Sequence, residues 1–171
     1  PKNINLQLKF NLKEPAKIVF NPGDTTLLAK GHLSLNLGEK KIYGAINLDS
    51  KKQGSLYIAG KGYWDGIEFQ TKVKINKLSL GILEDILGKN SDIITRGTLN
   101  GRLSFGVKKG LINCKGDLLV NDLNLRGGPL SNTLSTKNSK IKCDNNKFTL
   151  IDSKWNYGYW DIFNSTEIPF Y

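Results

Sequence analysis

The chain has 171 residues, 39% of them hydrophobic and 23% charged, with 25 basic against 15 acidic side chains and a formal net charge of +10. That length and balance suit one sizeable core and exclude intrinsic disorder. No apolar run approaches the roughly 20 residues of a spanning helix, so no helical membrane span is expected.

The first element is a strand. Ile4, Leu6, Leu8, Phe10 and Leu12 share one parity while Asn, Gln and Lys take the other. Period two over that length predicts one apolar and one wet face. The Asn21-Pro22-Gly23-Asp24 turn follows, with Pro fixing φ and Gly free to take positive φ. Alternation resumes at Leu33/Leu35/Leu37, turns over Gly38-Glu39-Lys40, and continues through Ile42/Gly44/Ile46/Leu48. Leu56/Ile58 come next, then an Asp65-Gly66 hairpin signal, then Phe69/Thr71/Val73/Ile75. From Lys77 to Asn90 the period changes: Leu78, Ile82, Leu83, Ile86 and Leu87 predict a short helix near residues 79–88, closed by Gly88. Strand grammar returns at Leu99/Gly101/Leu103/Phe105/Val107, at Ile112/Cys114/Gly116/Leu118/Val120 and at Phe148/Leu150. Gly31–Ser50 and Gly97–Val120 repeat one another loosely, each an alternation, a basic turn and a second alternation. Such accretion of hairpins predicts one elongated antiparallel sheet over residues 1–171. The start at Pro1 without Met reads as a piece of a longer chain.

Of the 25 basic residues only three are Arg (Arg96, Arg102, Arg126), and Lys is spread evenly from Lys2 to Lys154. Nucleic-acid modules cluster Arg and interleave aromatics, so the charge is read as solvated strand faces and no nucleic-acid partner is expected. An anionic partner is the alternative. Two cysteines are too few for a disulfide framework. Cys114 shares parity with Ile112 and Leu118 and is expected to pack as a small apolar residue, a bridge to Cys143 remaining open.

Nothing in the text carries catalysis. His32 is the one histidine, with no nucleophile motif beside it, and one His with two Cys 29 residues apart has no metal-ligand spacing. No Gly-rich phosphate loop is present. The chain is therefore read as a non-enzyme without cofactor or metal. Asp65, Glu68 and Asp161 lie near Trp64 and Trp160, which a sugar site could use. The favoured reading is that Asp65 is a turn residue, Glu68 points outward, and Trp64 and Trp160 fill a core.

The stretch from Lys115 to Phe163 resembles the C-terminal repetitive region of the TamB (translocation and assembly module) family, AsmA-like bridge-type lipid transfer proteins. The resemblance rests on Gly116, Leu118, Val120, Asp122-Leu123-x-Leu125, the Gly127-Gly128-Pro129 turn, Ile141, Phe148-x-Leu150 and Tyr157-Gly158. Upstream, Ile75 to Leu87 leading into Gly97-x-Leu99-x-Gly101 is similar to cyanobacterial and plastid members. Asn138-Ser139 departs from the pattern, since members often carry Gly before that strand. The resemblance implies an all-β, β-taco-like curled antiparallel sheet forming an open apolar trough. It implies location in the cell envelope, between inner and outer membranes or the plastid equivalent, and membrane contact through other parts of the parent chain. Phospholipid or glycolipid acyl chains would move along the trough, and an Omp85-type outer-membrane barrel protein is the implied partner in protein assembly or translocation.

The apolar parity set is the expected groove lining: Leu33, Leu35, Leu37, Ile46, Leu48, Leu56, Ile58, Phe69, Val73, Ile75, Leu103, Phe105, Val107, Leu118, Val120, Phe148 and Leu150. A dozen strands at roughly 4.8 Å spacing would make a sheet on the order of 55–60 Å long. The competing expectation is a structural or adhesive β-sandwich with a carbohydrate site at Trp64, Trp155 or Trp160.

Overall fold

Strands that alternate on one face must pair before they can be covered, and here they pair almost entirely with their neighbours in sequence. The computed structural model describes residues 7–12, 14, 16–19, 26–50, 52–63, 68–82, 94–108, 110–127, 130–151, 153–164 and 167–169. Among them are thirteen strands of one antiparallel sheet: β1 (Gln7–Asn11), β2 (Ala16–Val19), β3 (Thr26–Asn36), β4 (Lys41–Ser50), β5 (Gly54–Tyr63), β6 (Glu68–Ser79), β7 (Ile94–Lys108), β8 (Leu111–Gly127), β9 (Leu130–Asn145), β10 (Lys147–Ile151), β11 (Ser153–Tyr157), β12 (Trp160–Asn164) and β13 (Glu167–Pro169). The main path runs β1-β3-β4-β5-β6-β7-β8-β9-β10-β13. At one edge β2 lies beside β1 on the long β3, and at the other β11 and β12 branch from β9 beside β10. Nine steps of about 4.8 Å make this path roughly 43 Å across, shorter than a dozen strands in single file because strands share tiers at both edges.

The sheet is open and curled, and among the described residues no second sheet lies against it. The sandwich expectation is therefore set aside. The accessible surface of 12119 Å² agrees. A compact protein of 19.0 kDa exposes about 8,400 Å², so the excess is on the order of 3,700 Å². The short helix expected near 79–88 is only touched at its start. Ser79 ends β6, Leu80 and Gly81 turn, Ile82 is buried in helical backbone, and 83–88 lie outside the described residues. So do the Asn21–Asp24 turn, Trp64 and the Asp65-Gly66 turn.

The packed part of the core sits on β7–β10. Leu103, Cys114 and Cys143 are buried there, with Val73, Phe105, Leu118 and Phe148 against them. Cys114 and Cys143 are disulfide-bonded across β8 and β9, with Cα atoms 5.7 Å apart. This corrects the reading of Cys114 as a mere small apolar residue. The period-two text placed each cysteine on the apolar parity but could not show that hairpin pairing sets Cys143 opposite Gly116, diagonal to Cys114.

Gly101 and Gly116 take φ of +148° and +138° in mid-strand. A Cβ at Gly116 would collide with the Arg102 carbonyl oxygen, and one at Gly101 with that of Asp117. These glycines let β7 and β8 approach closely.

Two outcomes follow. Cys143→Ser should lower unfolding free energy by about 2–4 kcal/mol, the range for bridges closing loops of this order, as read by urea titration with and without reductant. Gly116→Ala should cost about 1–3 kcal/mol, whereas Gly110→Ala, with φ +77° but open space around it, should cost no more than about 1 kcal/mol in the same titration.

Candidate functional site

Residues directly opposite in an antiparallel pair project to the same side of the sheet, so register decides which side chains share a face. Four transverse rows result. One runs Ala29, Leu48, Leu56, Ile75, Gly101, Leu118, Ile141, Leu150. The next runs Gly31, Ile46, Ile58, Val73, Leu103, Gly116, Cys143, Phe148, Ile168. The third is Phe10, Leu33, Gly44, Gly60, Thr71, Phe105, Cys114, and the fourth Leu8, Leu35, Ile42, Gly62, Phe69, Val107, Ile112. No charged side chain stands in any of them. With two residues between rows, the floor measures roughly 20 Å along the strands.

Every expected lining residue stands on this face except Leu37. That side chain falls in the turn after β3, where Asn36 Oδ1 accepts the Glu39 amide at 3.0 Å, and it is exposed. Its parity continued the strand, but the turn ended the strand one residue earlier. Val120 reaches the face opposite Leu99, beside the second of two local irregularities. Residues that share the face but were not singled out include Ala29, Ile42, Leu99 and Ile141, whose parity was the available signal.

The face holds together because the ladder absorbs two slips of parity. In β6 the apolar series ends at odd Ile75 and resumes at even Leu78, across a register shift in which Lys77 takes φ +47°. In β8 it ends at even Val120 and resumes at odd Leu123, with Asp122 at φ +51° opposite Gly97. Each is a β-bulge that inserts one residue and returns the next apolar side chain to the same face.

Cover is uneven. Leu103, Val120 and both cysteines are buried, while Phe10, Leu33, Phe69 and Ile112 remain exposed. Phe69 lies over Gly60 and Gly62, and Leu33 over Gly44, so glycines make room for large neighbours in the same or the adjacent row. A concavity of about 640 Å³ at this end draws on both faces, with Ile42, Phe69, Phe105 and Val107 of the floor and a larger share from the wet side, Lys41, Lys61, Glu68 and Lys108 among it.

The reverse face is wet. Glu68 pairs with Lys108 at 3.3 Å, and Lys41 with Glu39 at 2.6 Å, a hydrogen bond and charge that raise the Lys41 pKa. On the other side Tyr157 stands opposite Leu134, and there the Ser131 hydroxyl and the Asn132 amide hold its phenol below the ordinary value. His32 is exposed and leans on Tyr43, ring centroids 5.2 Å apart. Trp160 is 74% exposed and fills no core, while Trp155 is half-buried with an unpartnered Nε1. Asp161 is engaged by Lys154 at 2.9 Å and by the Asn156 amide. Among the described residues no three His, Cys, Asp or Glu side chains converge as a metal site, and no helix is long and apolar enough to cross a membrane.

Compared with family models, curated proteins and solved structures, the chain matches none.

Asp122→Val, which puts a β-branched side chain at a positive φ, should lower stability by about 1–3 kcal/mol in urea unfolding. Asp122→Gly, which keeps the bulge and suits its positive φ, should be neutral to within about 1 kcal/mol.

Proposed function

We propose that this chain is a segment of a TamB-like envelope protein whose apolar sheet face binds lipid acyl chains and conducts them between two membranes. The observation that carries the reading is the floor itself: four uncharged rows across the sheet, with Phe10, Leu33 and Phe69 exposed and no second layer above them among the described residues. Exposed contiguous apolar surface on this scale calls for a partner. An acyl chain is a suitable one, because each methylene covered contributes about 0.8 kcal/mol and a whole chain on the order of 10 kcal/mol. A floor without charges offers no trap to a sliding chain. The Cys114–Cys143 bridge agrees with an envelope compartment outside the reducing cytosol. On the same reading the protein is not an enzyme, and an Omp85-type barrel protein is its partner in assembly or translocation.

Native mass spectrometry of the purified chain, with extraction of bound lipid, tests this. Phospholipid or glycolipid at defined stoichiometry is expected. Phe69→Asp together with Leu33→Asp should weaken loading by about 30-fold or more, since roughly 2 kcal/mol or more of apolar contact is lost, with the far-ultraviolet dichroism unchanged. Leu103 is unsuitable for this test, because it is buried in the packed cluster. A lipid-free protein, or full loading of the double variant, would overturn the proposal.

A further inference from the structure

Four lysines of the wet face on and beside β9 stand with acids: Lys140 with Asp117, Lys142 with Asp144, Lys147 with Glu167 and Lys154 with Asp161. Arg96 and Arg126 do not. Among the described residues neither has an ion pair, and Asp122, two residues before Asn124 on the same strand, reaches neither. Pairing of Ile94 with Arg126 and of Arg96 with Asn124 makes the two guanidinium groups diagonal neighbours on the side opposite Leu125. Like charges brought together on a sheet are unfavourable unless something lies between them.

The local backbone favours an occupant. A bulge at Gly97/Asp122 lies on one side, and on the other a second register shift sets three residues of β9 against Arg126. Between these irregularities is a concavity of about 210 Å³ lined by Arg96, Asn124, Arg126 and Thr133. In a chain that uses Lys for 22 of its 25 basic residues, two of the three arginines meet at this one dent. Arg is the side chain whose planar fork matches two oxygens of a phosphate, which a lysine ammonium cannot do.

We propose that this concavity binds a phosphate ester. The Arg96 and Arg126 forks take its non-bridging oxygens, and the Asn124 amide and Thr133 hydroxyl supply neutral donors. The site lies on the face opposite the apolar floor, so it stands whether or not that floor carries lipid.

The test uses the oxidised full chain with two probes: titration with glycerol phosphate followed by arginine Nε–Hε resonances, and flotation with vesicles of phosphatidylcholine with or without phosphatidylglycerol. Binding to at least one probe is expected. Glycerol phosphate alone would identify a soluble ester, and phosphatidylglycerol vesicles a lipid headgroup. Arg96→Lys and Arg126→Lys keep the charge but lose the fork, and each should weaken binding about tenfold. Lys72→Gln with Lys74→Gln removes charge elsewhere on that face and should change it by no more than about twofold. Failure of both probes, or binding that tolerates the Arg→Lys changes, or binding abolished by the lysine pair, would overturn the proposal.

Discussion

Antiparallel pairing ties every side chain in this protein to the register of the strand before it. A slip of one residue anywhere would invert the faces of all strands beyond it. The continuous apolar floor from β1 to β13 therefore depends on each hairpin closing in phase. Where the text itself slips, at Asn76-Lys77 and at Asn121-Asp122, the ladder yields a bulge instead of an inversion. The hydrophobic effect enforces this choice, because inversion would expose Leu123 and Leu125 while sending Arg126 to the floor.

The floor is also graded. On β7–β10 curl and bridge bring Leu103, Cys114 and Cys143 out of water. Toward β1 the same rows stand open, with Phe10 at 56% exposure. One face thus combines a packed part that contributes stability with an open part that needs a partner. On the wet face the contrast is electrostatic, between four acid-paired lysines on and beside β9 and an arginine pair with no described counter-charge.

Much of this was legible in the sequence. Alternation at Leu33/Leu35, Ile46/Leu48, Leu56/Ile58 and Phe69/Val73/Ile75 marked both the strands and the shared face, because period two is a local property. The two bulges were legible as well, in the change from even Val120 to odd Leu123, though only a reader tracking parity would find them. What was hidden depends on pairing between distant residues. Cys114 and Cys143 lie 29 apart, and Arg96 and Arg126 become neighbours only when the β7–β8 hairpin closes. Branching of β11 away from β10 is hidden for the same reason, and Leu37 was misplaced because turn geometry outranked parity.

The sequential order of the main path also bears on how the chain assembles. From β3 to β10 each strand's partner is the one just before it. Pairing of this kind has low contact order for a β protein, so most loop closures are short, the 14 residues between Ser79 and Ile94 being the longest step from β3 to β10, and nucleation can begin at several hairpins. Strands can add to a growing edge as they emerge from a ribosome or a translocation channel. The exceptions are β1, which waits for the far end of β3, and β13, which must return to β10 past the β11–β12 arm. Those two margins are the last to close.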